Sequence, residues 1–135
     1  MISAVDTSVL LDVLLDDPSH RSESLAVLRV ARSRGPLVIC PVVWAEVRAA
    51  LETADSLGER LTAAGIDFDP FDRRCADLAG EMWQAYRRRG GKRTVIIPDF
   101  LVGAHAMIRA EQLLARDRGF LREYFRGLLV SDPSR

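Results

Sequence analysis

Short apolar runs alternate with longer amphipathic stretches along the whole chain. That alternation predicts a parallel sheet with helices on both faces, because parallel neighbours need a crossover and a helix is the usual one. The strands read as Ile2–Val5, Leu37–Cys40, Ile66–Phe68, Gln112–Ala115 and Leu128–Val130. Ser8–Leu15 carries apolar residues on every side and reads as a largely buried helix. Pro18 opens a second helix to about Arg34, which Gly35-Pro36 ends. Pro41 sits where a first helical turn tolerates proline, and its helix runs to about Thr53. Ser56–Ala64 stops at Gly65. Asp72 reads as the N-cap of a long helix to Arg89, with Cys75, Leu78, Ala79, Met82, Trp83 and Tyr86 at three-four spacing. Lys92–Ile97 connects, Pro98 or Asp99 begins a helix to about Ala110, and Arg118–Tyr124 is a short helix. Asp132-Pro133 ends the ordered chain. The expected class is a three-layer α/β/α sandwich, formed as one domain over residues 1–135.

Composition excludes several alternatives. With 48% apolar residues and zero formal net charge, the chain does not read as disordered. Its longest apolar stretch, Leu37 to Ala45, is broken by Pro41 and falls well short of the roughly 20 residues a membrane span needs. Asp6, Asp12, Asp16 and Asp17 interrupt the region where a signal peptide would need an uncharged core. Cys40 and Cys75 lack metal or redox spacing and read as buried thiols in a reducing cytoplasm. Lys92 is the single lysine among 19 basic residues, the others being arginine. Codon bias accounts for that excess, and arginine forks also suit phosphate.

Three aspartates occupy matching places. Asp6 follows the first strand, Asp99 opens the helix after the Val95–Ile97 run, and Asp117 follows the fourth strand. Carboxyl ends of strands in an open parallel sheet share the edge where ligands bind. Glu46, in the second turn of the helix after the second strand, reaches the same edge. Each aspartate alone is accounted for as a helix cap. Three at one edge, with Glu46 among apolar neighbours, point to an acidic cluster. Two carboxylates about 4 Å apart repel by roughly 4 kcal/mol at an effective dielectric near 20, so such a cluster stays partly protonated or holds a cation. All-oxygen ligands suit Mg²⁺ or Mn²⁺, which activate water in phosphodiester displacement. Gly103 and Ala106, on the Asp99 face of its helix, leave room for metal and phosphate or simply pack that helix closely. His105 lies off that face and reads as structural or exposed; His20 reads as exposed.

Four segments carry a resemblance: Val5-Asp6-Thr7-Ser8-Val9-Leu10-Leu11, Val43-Trp44-Ala45-Glu46-Val47, Pro98-Asp99-Phe100 through Ala106, and Ala115-Arg116-Asp117-Arg118-Gly119-Phe120. In this order and spacing they resemble the PIN-domain ribonucleases. The closing Tyr124–Val130 segment looks like that of VapC-type toxins of toxin–antitoxin pairs. The resemblance implies a mainly parallel sheet of about five strands and Mg²⁺/Mn²⁺-dependent cleavage of RNA (tRNA, rRNA or mRNA) by activated water. By position it implies Asp6, Glu46, Asp99 and Asp117 as catalytic acids, with Asp6, Asp99 and Asp117 on the metal and Ser8 in support. It implies a VapB-type antitoxin and a homodimer; Trp44 and the Leu10/Leu14 helix are candidates for apolar antitoxin contact or plain core. Ala115 departs from the pattern, since many relatives carry Thr or Ser there. Arg116, Arg118, Lys92 and Arg93 are placed to neutralise RNA phosphates, with Arg87-Arg88-Arg89 explained well enough by the helix macrodipole.

Two other readings differ in class. A catalytically silent PIN-like interaction domain would bind Mn²⁺ weakly and cleave nothing. A phosphoacceptor receiver-like domain also puts acids at strand ends, but it normally needs a late lysine, and Lys92 precedes Asp99.

Overall fold

The computed structural model describes residues 1–53, 56–91 and 97–135. Five strands form one sheet: β1 (Ser3–Val5), β2 (Leu37–Ile39), β3 (Ile66–Phe68), β4 (Gln112–Leu114) and β5 (Leu129–Ser131). Their order is β3-β2-β1-β4-β5, and every pairing is parallel. Ala4 sits opposite Val38 on one side and Leu113 on the other. The helices are α1 (Thr7–Leu14), α2 (Arg21–Arg34), α3 (Pro41–Ala50), α4 (Leu57–Ala63), α5 (Arg73–Arg88) and α6 (Ile97–Arg109), with a 3₁₀ turn over Gly119–Glu123. This is the three-layer α/β/α arrangement that the alternating pattern predicts. Among the described residues no helix is long and apolar enough to cross a membrane.

The three central strands are buried on both faces, so they are short and apolar rather than alternating. Val5, Ile39, Leu113 and Leu114 form the middle of the core with Val9, Val43, Val47 and Phe100 from the covering helices. Strand order reverses at β1: the chain moves outward through β2 and β3, then returns to β4 on the other side. The crevice beyond the carboxyl ends of β1 and β4 is therefore the switch point, where ligands bind in open α/β sheets.

The boundaries that differ have local causes. α2 starts at Arg21 rather than Pro18, because Asp17 turns the chain first: its Oδ1 accepts from Ser19 N at 2.8 Å and His20 N at 3.1 Å. α3 ends at Ala50, short of Thr53. Among the described residues α6 runs from Ile97, with Asp99 in its first turn. The segment after Asp117 winds as a 3₁₀ turn. Gly103 is a packing glycine: a Cβ there would lie 2.5 Å from the Phe125 ring. The small residue on the Asp99 face thus admits an aromatic ring, and the room for metal and phosphate expected there is filled. Cys40 and Cys75 are both free and buried, and burial pushes the Cys40 thiol up to about 11. His105 is a core residue, its Nε2 2.8 Å from Asp69 Oδ2, and His20 is half-buried. Lys92, Arg93 and the Val95-Ile96 pair lie outside the described residues.

Candidate active site

Asp6 occupies the cap position of α1, yet its side chain makes no capping hydrogen bond. It turns instead into the crevice, 1% exposed, where Oδ2 accepts from Ser8 Oγ at 2.8 Å and Oδ1 meets the Arg118 guanidinium. Asp72 makes the contrast plain, since its carboxylate does cap α5, accepting from Cys75 N at 3.0 Å. Capping therefore does not account for Asp6, whose two oxygens are taken by Ser8 and Arg118.

Arg118 organises the cluster. Its Nε donates to Asp99 Oδ1 at 3.0 Å, a terminal nitrogen reaches Asp6, and the other lies 3.3 Å from both Glu46 oxygens. Three acids from α3, α6 and the end of β1 thus converge on one guanidinium. At an effective dielectric near 20 each contact attracts by roughly 4–5 kcal/mol, against repulsions among carboxylates set farther apart around the fork. Burial alone pulls the Arg118 pKa down, but the charges of Asp6, Glu46 and Asp99 outweigh it and raise it well above the ordinary arginine value. The cluster expected to stay partly protonated or hold a cation holds one here, and the chain itself supplies it as Arg118. Sequence reasoning placed Arg118 against RNA phosphates; its fork is instead spent on carboxylates, and the residue is only 8% exposed.

The rim is built by a second ion pair. Asp12, buried on α1, accepts from Arg116 at 2.7 Å and 3.2 Å and from Ser24 Oγ at 2.7 Å. Ser8 Oγ also accepts from Arg116 N at 3.1 Å, so one hydroxyl ties the β4 loop to Asp6. This link stands where Ala115 offers no hydroxyl; Ala115 itself is buried, its N donating to Ser131 O at 3.0 Å. Arg116 is thereby fixed beside Asp117, 3.5 Å away. Asp117 is 64% exposed and stands on the rim of the crevice, apart from the three acids on Arg118. Glu46 Oε1 additionally accepts from Thr7 Oγ1 at 2.8 Å. Asp12 and the central place of Arg118 escaped sequence reasoning. The signal for Asp12 was present: a lone charge within the apolar run Val9–Leu15 needs a partner.

The crevice holds about 580 Å³ and is lined by Asp6, Glu46, Asp99, Asp117, Arg116 and Arg118, with Thr7, Ser8, Asp12 and Asp17 beside them. Among the described residues no three acids, histidines or cysteines stand close enough together to hold a metal ion. The donor chemistry nonetheless suits a hard divalent cation, and three carboxylates already aim at one cationic point. With the guanidinium seated, that point belongs to Arg118.

A parallel α/β/α sheet with an acidic crevice at its switch point places the chain in the class of open α/β folds, whose ligands bind beyond the carboxyl ends of the strands. Within it, the chain matches the PIN domain family over residues 4–125 and belongs to that family. Three solved structures share its fold. VapBC2 from Rickettsia felis, bound to a promoter DNA fragment, matches with TM-score 0.74 and 16% identity over 98% of each chain. FitAcB from Neisseria gonorrhoeae matches with TM-score 0.72 and 22% identity over 100% of this chain and 99% of that one. A toxin–antitoxin complex from Klebsiella pneumoniae matches with TM-score 0.69 and 21% identity over 97% of each. No curated protein sequence matches the chain.

Proposed function

We propose that this chain is a divalent-metal-dependent endoribonuclease of the VapC toxin type, cytoplasmic and restrained by a VapB-type antitoxin. The observation that carries the reading is the convergence of Asp6, Glu46 and Asp99 on one cation-binding point at the sheet's switch edge. Bound there, Mg²⁺ or Mn²⁺ would supply an activated water and charge stabilisation for phosphodiester displacement. Asp6 and Asp99, with Asp117 from the rim, are the residues to hold it. Glu46 has Oε1 steadied by Thr7, which leaves Oε2 to take a proton from the attacking water. Ser8 orients Asp6. Arg116, locked by Asp12 at the mouth, offers its remaining N–H groups to RNA phosphates, so substrate is read through backbone and shape.

The antitoxin reading draws on the toxin–antitoxin complexes among the fold relatives and on a second cavity of about 410 Å³. Leu10, Leu14, Leu28 and Leu61 line it, with Arg29 and Arg32 beside them, between α1, α2 and α4. An apolar groove with a basic rim suits an amphipathic helix carrying acidic flanks. Trp44 lines a different hollow, edge-on to Phe68 at 5.6 Å.

The test is cleavage of cellular RNA with 5′-end mapping, in Mg²⁺ or Mn²⁺. Asp6→Asn and Asp99→Asn are each expected to abolish product and growth arrest while the protein stays folded. Either variant cutting at the parent's rate would remove these acids from the mechanism. One observation favours a catalytically silent alternative: Arg118 fills the place a metal would take. That alternative predicts no product under any metal condition.

A further inference from the structure

Every nitrogen of the Arg118 guanidinium is engaged by a carboxylate, and the three carboxylates come from different elements. Arg118 therefore stands where the donors of the proposed metal site converge. A guanidinium stays charged at any physiological pH, so deprotonation gives it no way out of the site, whereas replacement by another cation does. With Arg118 seated the inner cluster carries a formal charge of −2, from three acids and one base, and with it withdrawn, −3. The side chain is long, its backbone lies in the loop between β4 and the 3₁₀ turn, and it lines the crevice itself. Asp17 and Asp117 line the same crevice and offer carboxylates to a guanidinium that swings outward.

We propose that Arg118 is the resident counter-cation of the acidic cluster, and that a divalent metal enters by displacing its guanidinium. Metal loading is then a cation exchange set by the chain itself, and the apo protein keeps an ordered site. This rests on the cluster being the metal site of the proposed ribonuclease. It makes Arg118 a positioning residue: it holds the three acids in place before loading and weakens metal affinity by competing for them.

Calorimetric titration with Mn²⁺ on the full chain tests it, using the parent, Arg118→Ala, Arg118→Gln and Asp99→Asn. Both arginine variants are expected to bind Mn²⁺ at least tenfold more tightly than the parent. In EDTA they are expected to melt at lower temperature than the parent, and saturating Mn²⁺ is expected to recover the loss. A readout on the unmutated protein covers the case in which the variants fail to fold. The Arg118 Nε–H proton, held on Asp99, is expected to give a protected NMR signal in EDTA that disappears as Mg²⁺ is added. Persistence of that signal at saturating Mg²⁺ means metal and guanidinium coexist, and overturns the exchange. If the arginine variants bind no more tightly while Asp99→Asn abolishes binding, the exchange falls and the metal site stands. If no form binds Mn²⁺ and RNA is still cut in EDTA, the exchange falls together with the metal dependence of the proposed function, and the cleavage itself stands.

Discussion

Asp12 and Arg118 have opposite charges and the same role, each holding a cluster together from inside. Asp12 is almost fully buried and takes two nitrogens of Arg116 and the Ser24 hydroxyl, so it joins α1, α2 and the β4 loop at one point. Removing one partner of a buried pair leaves the other without compensation, which costs about 3–5 kcal/mol. Arg116 is partly exposed and recovers some solvation, so Asp12→Ala is expected to lower stability by about 3 kcal/mol. The second consequence is specific: with Arg116 released, the loop carrying Asp117 and Arg118 loses its anchor. The RNA cleavage proposed for this chain is expected to fall more than tenfold in Asp12→Ala even at temperatures where circular dichroism finds the variant fully folded. A variant that loses stability and keeps full activity would confine Asp12 to the fold. Two of the arginines at the end of α5 are likewise occupied, Arg87 4.5 Å above the Trp83 ring and Arg89 5.4 Å from Tyr124. Stacking on aromatic faces, and not the macrodipole alone, accounts for those cations.

Among the elements, α6 carries the most of both fold and site. Asp99 in its first turn faces Arg118, Phe100 packs with Tyr86, Tyr124 and Phe125, and Gly103 admits the Phe125 ring. Gly103→Ala would gain helix propensity, about 1 kcal/mol, but its methyl would overlap the ring, and overpacking costs about 1–3 kcal/mol. The net expectation is a loss of about 1 kcal/mol, measured as a lower urea midpoint, with Phe125→Leu in the same chain restoring it. At the start of α5, Asp72→Ala is expected to lose the cap and lower the urea midpoint. These two positions mark what sequence can disclose. The Asp72 cap is a local hydrogen bond three residues long, and spacing alone finds it. The strands are readable too, as short apolar runs, and the helices from the longer patterns between them. The acids at strand ends follow from topology, which fixes where a chain turns. What Gly103 faces, and what Arg118 binds, depend on side chains distant in sequence, and no local pattern encodes them. An arginine directly after an acid, as Arg118 is after Asp117, reads as surface until the strands are assembled around it.

Across the whole molecule, equal numbers of acids and bases leave no formal net charge at pH 7, so the pH response belongs to particular groups. Burial holds His105 below its ordinary value of 6.5, against the pull of Asp69. The unfolded chain therefore takes up that proton first, and stability falls as pH drops beneath about 6.5. Asp69 sits below its ordinary 3.8, chiefly through the Arg109 fork, with Nε and a terminal nitrogen at 3.0 and 2.9 Å. Asp72 lies at about 2 through the Cys75 N–H and Arg74. Depressed carboxylates stabilise above their unfolded value and lose that contribution as pH falls through the folded one, so a second descent begins below about 4. On the alkaline side the sign reverses. Cys40 is raised by burial from 9.0 to about 11, so the unfolded thiol ionises first and stability falls as pH rises through that interval. The urea midpoint is thus expected to plateau between about pH 6.5 and 9 and to decline in two steps on the acid side. His105→Gln should lower the plateau and erase the first acid step while leaving the second, because Asp69 keeps Arg109. A midpoint that stays level from pH 7 down to 4.5 in the parent would mean that His105 binds its proton inside the fold, which a buried imidazole pressed against Phe71 could do only with Asp69 fully compensating its charge.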